Sequence, residues 1–186
     1  MLYIVKYTGP FGYIKPWTAV RDEKTFSQPF LTPSIVAGMS QKLFGLEASD
    51  RILRHRLSYD RMDVQQEVVW PKWRKKPDAR SILNRGVMLH PHLYLAFGTE
   101  ADAQTAFVQH LCLCRNEDIV LPEPQYGIKA LDETAFDALP GFELRFDTPQ
   151  HLEAGFPVGY DRYSPEKRLM RGLLEIFGNP VRAQEL

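Results

Sequence analysis

Apolar and polar residues alternate with period two along Leu2–Thr8 (LYIVKYT), the pattern of a strand with one face on a core. A Gly- and Pro-rich connection, GPFGYIKPW, follows, and the period then changes. Ile35, Val36, Met39 and Leu43 fall on one stripe of a helix predicted over Pro33 to about Phe44. Thr32 can cap it, Pro33 suits its first turn and Gly45 supplies the stop. Ile52–Tyr59 and Met62–Trp70 read as a strand pair with a basic excursion behind it. Val87–Phe97 reads as a strong strand, Glu100 to roughly His110 as a helix, and Leu111–Leu121 as a strand. The order strand, helix, strand pair, helix, strand is the split βαβ pattern of a ferredoxin-like α+β fold.

A weaker second copy begins near Pro140. There FELRFDTP echoes YIVKYTGP, and SPEKRLMRGLLEIFG echoes TPSIVAGMSQKLFG, so a second helix is expected before Gly178. The division predicted is a ferredoxin-like domain over 1–125 and a small C-terminal lobe, a partial repeat, over 126–186.

Composition narrows the class. At 186 residues and 44% apolar content, the chain can build one substantial core or two small lobes. No run approaches the roughly 18 apolar residues of a membrane span, and the first residues alternate instead of forming a charged start and an apolar block, so a cytoplasmic protein is expected. Cys112 and Cys114 sit one residue apart, poorly placed for a disulfide and without partners for a zinc site. No cofactor is implied. The net charge of zero hides an asymmetry: residues 51–85 hold ten Lys or Arg against four Asp or Glu, whereas residues 99–153 hold three against eleven. One region is suited to a polyanion and the other repels it or faces a basic partner.

Two clusters carry candidate chemistry. Trp70 and Trp73 are interleaved with Lys72, Arg74, Lys75, Lys76, Arg80 and Arg85, cations for phosphates beside rings that stack on unpaired bases. Lys15, Trp17, Arg21 and Lys24 precede the first helix, whose N-terminus and Ser34 hydroxyl can add contacts to a phosphate. His90 and His92 lie two apart in VMLHPHLYL; one of them is a candidate general base for attack by a 2′-hydroxyl, with Tyr59, Tyr94 or Lys129 completing the set. Gly155, Gly159 and Tyr160 form a loop suited either to a turn or to close approach of an RNA backbone.

The run from Val20 to Gly38, a basic loop leading into a Thr-Pro-Ser helix start, resembles the start of the CRISPR-associated Cas-five family of the RAMP superfamily. Leu113 to Asp118 is similar to a later leucine, glycine, arginine and acidic stretch of that family, with Cys114 in the place of the glycine. The resemblance implies a ferredoxin-like RRM/RAMP domain with a basic thumb at about 68–85, a reduced second lobe, and Arg115 among the RNA contacts. It implies a non-catalytic subunit of a type I or type IV Cascade-like ribonucleoprotein of antiviral defense, gripping the 5′ handle of crRNA. Its partners would be the backbone and large subunits of that complex, with no membrane and no metal. Certain relatives cleave precursor crRNA with a tyrosine, lysine and histidine set; here Gln28 or Phe26 falls where the tyrosine is expected. Two alternatives follow: a metal-independent endoribonuclease that processes precursor crRNA, and an RRM-like interaction module for an acidic partner.

Overall fold

A computed structural model of the chain describes residues 1–16, 24–69, 81–146, 153–160 and 168–182. Leu2–Thr8 forms β1, followed by the short strands β2 (Phe11–Gly12) and β3 (Lys24–Phe26) and by α1 (Pro33–Phe44). Then come β4 (Ile52–Ser58), β5 (Arg61–Val69), β6 (Ser81–Leu89), β7 (His92–Phe97) and α2 (Glu100–Phe107). The chain continues through β8 (Leu111–Cys112), β9 (Ile119–Pro122), β10 (Ile128–Leu131), α3 (Glu133–Asp137), β11 (Gly141–Arg145), β12 (Phe156–Tyr160) and β13 (Leu169–Phe177).

The main sheet runs β12-β13-β11-β4-β7-β1-β9-β8, with β10 also on β1, and its pairings are antiparallel. β1 is buried on both faces. Val5 and Tyr7 join Leu93, Leu95 and Phe97 under α1 and α2, where Val36, Met39 and Leu43 of the predicted stripe meet Ala103 and Ala106. Burying each such aliphatic side chain contributes about 1.5–3 kcal/mol, so the stripe and not intrinsic propensity holds α1 in place. Tyr7 donates to the Ala106 carbonyl at 2.7 Å, which ties α2 to the centre of the sheet. Leu2, Ile4, Tyr94 and Ala96 face the other way, onto Phe136 of α3. Gly45 closes α1 with φ +101° while its N–H bonds Gln41 O, the backbone geometry that makes glycine the usual stop there.

The second sheet stands on the first. Its order is β2-β6-β3, and β5 pairs with β6 in nine consecutive register steps from Arg61–Leu89 to Val69–Ser81. β5 and β6 therefore continue β4 and β7 beyond a bend made by Tyr59–Asp60 on one side and His90–Pro91 on the other. This corrects the single strand expected over Val87–Phe97: the segment is two strands in two sheets. Pro91 cannot donate to a ladder, and His90 adopts φ +46°, turning the chain. The bend is pinned from outside, with Tyr59 N–H bonded to Pro180 O, Arg182 N–H to Tyr59 O, and His90 N–H to Pro10 O.

Three further expectations change. The strand expected over Leu111–Leu121 is the hairpin β8–β9, with a tight turn between its strands. The second helix ends at Phe107, not near His110. In the proposed repeat, Leu169–Phe177 is a strand, not a helix: β13 is hydrogen-bonded between β11 and β12. Gly172 explains the close fit, because a Cβ there would lie 3.0 Å from the Arg145 carbonyl oxygen. β11 joins β4 through Phe142 opposite Leu57, so the strands after Pro140 extend the same sheet.

Part of the charge asymmetry is resolved inside the fold. Arg54 binds Glu143, Glu133 and Asp137, and Arg56 binds Asp137 and Glu143, so two cations of the basic segment meet three acids of the acidic one. Arg56 is wholly buried, its guanidinium against the Phe177 ring. Burial pulls it down to about 10, opposed by Glu143. Arg54 is held above its ordinary value: burial alone would lower it, and the hydrogen bonds and charge of Glu143 together with the hydrogen bonds to Asp137 and Glu133 more than offset that. Among the described residues no helix is long and apolar enough to cross a membrane.

Candidate nucleic-acid interface

Where the β5–β6 hairpin leaves the main sheet, three elements bring together cations that are far apart in sequence. β2 pairs with β6 through Phe11–Leu89 and Gly12–Met88, which sets Tyr13 beside the hairpin's root. Arg85 is opposite Gln65 in the β5–β6 ladder and diagonal to Glu67, so all three share one face. The β8–β9 turn delivers Arg115 to the same place.

That turn is locked by Asp118. Arg115 donates from its backbone N–H and Nε to Asp118 Oδ2, both at 2.9 Å, and from Nη2 to Oδ1 at 2.7 Å. Asp118 is fully buried and returns its N–H to Arg115 O. The bidentate pair holds the Arg115 guanidinium charged, above its ordinary value. The stretch Leu113–Asp118 thus works as a clip that aims one arginine.

Around Tyr13 the geometry is compact. The ring is 5.5 Å from the Arg85 guanidinium and 5.3 Å from that of Arg115. Arg115 Nη2 also donates to Gln65 Oε1 at 3.1 Å. Glu67 accepts from Arg85 Nε at 3.1 Å and lies 3.9 Å from Arg115 Nη1, with its side chain 36% exposed. Tyr13 itself is 2% exposed and its buried hydroxyl has no hydrogen-bond partner. Burial pushes that hydroxyl above its ordinary value, with Arg85 pulling the other way.

The remaining expected contacts divide. Lys24 is on β3, which runs parallel to β6 at Asn84–Gly86, and its exposed ammonium lies 5.1 Å from the Phe26 ring. Phe26 covers Gly86, where a Cβ would come within 2.0 Å of the ring. Lys15 is exposed and follows Ile14, whose carbonyl accepts from Gln28 N–H just beyond β3. Lys15, Lys24 and Arg115 therefore belong to one region. Ser34 does not join them: its hydroxyl is 3.2 Å from that of Thr32, and it lines a separate pocket of about 370 Å³ with His55, Tyr160 and Met170. Trp17, Arg21, Trp70, Lys72, Trp73, Arg74, Lys75, Lys76 and Arg80 lie outside the described residues, as does the tip between β5 and β6.

The histidines form another group. His90 Nδ1 is 2.9 Å from Asp60 Oδ2, and His92 Nε2 is 3.9 Å from Asp60 Oδ1. Burial, then the Lys6 cation, pulls His92 below its ordinary value. Tyr59 and Tyr94 are both buried. Lys129 lies over the Tyr126 ring instead of beside either histidine.

Sequence reasoning missed Tyr13, Gln65 and Glu67. The β5 alternation carries a signal for the last two, since Gln65 and Glu67 fall on one face. Only the register with β6, which starts six residues before the expected Val87, puts Arg85 between them.

No family model matches the chain, and no curated protein matches it. Among solved structures, a chain of a "CRISPR RNA-guided surveillance complex" is 13% identical, with a TM-score of 0.55 over 97% of this chain and 91% of that one. Another, described as "Crystal structure of Cas protein", is 16% identical at a TM-score of 0.48 over 100% of this chain and 98% of that one. At such identities, the first likeness shows a shared fold over nearly the whole length of both chains.

Proposed function

We propose that this protein is a non-catalytic RNA-binding subunit of a CRISPR effector complex, similar to the Cas-five family, which grips the 5′ handle of crRNA and contacts the backbone subunits. The observation that carries the reading is the fold shared with a chain of a CRISPR RNA-guided surveillance complex along almost all of both lengths. The topology supports it. β4-β7-β1-β9 with two helices on one face is the strand order a ferredoxin-like RAMP domain requires, and the β5–β6 hairpin emerges where a thumb is expected. Phosphate contacts from Lys15, Lys24 and Arg115, with the basic aromatic segment 70–80, would fix the position of the handle, and stacking would hold displaced bases.

The test is binding of the purified protein to a labelled CRISPR repeat RNA in a metal chelator, against a scrambled RNA of equal length. Repeat-selective binding without cleavage is expected, and equal affinity for both RNAs would overturn the handle reading. A second reading, a metal-independent endoribonuclease, is favoured by the neighbouring Asp60, His90 and His92. A discrete cut in chelator, lost in His92→Ala, would establish it.

A further inference from the structure

Among the described residues, the group around Tyr13 carries two solvent-facing carboxylates of its own: Glu67, within reach of both guanidinium groups, and Glu117, 3.4 Å from Arg115 Nη1. Arg115 is immobilised by Asp118 and Gln65 whatever Glu67 does, so the guanidinium is held in place in advance. Arg85 is 20% exposed and its described side-chain partners are Glu67 and the Tyr13 ring. The Tyr13 ring lies within 5.5 Å of both guanidinium groups, and its buried hydroxyl makes no hydrogen bond. A buried hydroxyl without a partner is unfavourable, and two converging guanidinium groups match the planar, multidentate geometry of an oxyanion. A carboxylate of β5 fills the role in part: Glu67 reaches Arg85 well and Arg115 only at 3.9 Å, while Glu117 lies 3.4 Å from Arg115.

We propose that Tyr13, Arg85 and Arg115 form a seat for one phosphate of the bound RNA, and that Glu67 is a resident carboxylate which that phosphate displaces. The inference rests on the RNA-binding reading and adds a site and a gate to it. A phosphodiester brings two unesterified oxygens at a spacing that serves Arg85 and Arg115 together and leaves an acceptor for the Tyr13 hydroxyl. Glu67, being partly exposed, can turn to solvent without losing a buried partner. The gate makes weak, non-specific polyanions compete with an internal anion, so that only RNA held by several contacts opens it.

Labelled repeat RNA is titrated against the wild type, Glu67→Gln, Arg85→Ala and the double variant, with melting of each variant followed in inorganic pyrophosphate. Glu67→Gln is expected to bind RNA about three- to tenfold more tightly, the scale of removing one partly screened charge pair. Arg85→Ala should weaken binding, lower the salt slope by about 1, and abolish the gain in the double variant. Pyrophosphate should raise the melting temperature of Glu67→Gln more than that of the wild type. RNA affinity unchanged in Glu67→Gln, or a gain that persists without Arg85, would overturn the seat while leaving RNA binding in place. Pyrophosphate stabilisation that depends on Glu67 and Arg85, with no RNA bound by any variant, would keep the anion seat and remove the RNA reading.

Discussion

Two pairs of arginines in this chain do opposite work. Arg54 and Arg56, alternate residues of a central strand, are sealed beneath α3 with Glu143 fully buried between them. Arg85 and Arg115, thirty residues apart on different elements, meet at the root of the hairpin with a carboxylate that reaches solvent. The first pair shows what full burial does to charge: each cation needs its acid, so the cluster fastens α3 and β11 to the sheet, away from solvent. In the second, Asp118 fixes Arg115 while the carboxylate of Glu67 stays partly exposed. A high count of basic residues therefore says little about polyanion binding until the internal acids are known.

Removing the acid at the centre of the first pair should give the largest effect. Glu143→Ala leaves two buried guanidinium groups undercompensated, and a loss of about 3–5 kcal/mol is expected in urea denaturation. A loss comparable to that of a surface pair would dissolve the contrast. The next effect is read through His55, between the two arginines in sequence and wholly buried. Burial pulls its pKa from 6.5 down to about 4, with Glu143 opposing and Arg56 and Arg54 assisting. The unfolded chain then binds the proton first, so the stability contributed by neutral His55 is present above pH 6.5 and lost as pH falls toward 4. Between about pH 7 and about pH 5 the wild type should lose about 2 kcal/mol more than His55→Gln, which keeps an acceptor for the Leu144 N–H. Equal losses would show that His55 keeps its ordinary pKa in the fold. The smallest effect belongs to the second pair: Glu67→Gln should change stability by less than about 1 kcal/mol, as for an exposed ion pair. A cost near that of Glu143 would mean that Glu67 is architectural and no gate.

Much of the frame was legible in the sequence because its causes are local. The alternation of Leu2–Thr8 and the Val36, Met39, Leu43 stripe between Thr32 and Gly45 each report their own burial, and both elements form as the pattern predicts. What escaped the sequence depends on distant partners. Arg54 and Arg56 enter the sequence only as part of the basic count over 51–85, and nothing local reveals their acid, because Glu143 lies 89 residues from Arg54. Leu169–Phe177 carries an apolar pattern compatible with a helix, and becomes a strand because β11 and β12 offer it ladders on both sides. His90–Pro91 contained the warning that the strand would break, since proline demotes a strand interior. At the candidate interface, Arg115 was reached through a resemblance, whereas Tyr13 and Glu67 gain meaning only once the hairpin register is known.

The nine-step ladder of β5 and β6 has a practical corollary. It settles strand register between the bend and Val69–Ser81, so the segment joining those two residues can be exchanged like the bit of a tool while the handle stays the same. Loops of different length or chemistry grafted there would retarget the hairpin's reach, with Arg85 and Arg115 serving as an unchanged point of reference against which each new tip is calibrated.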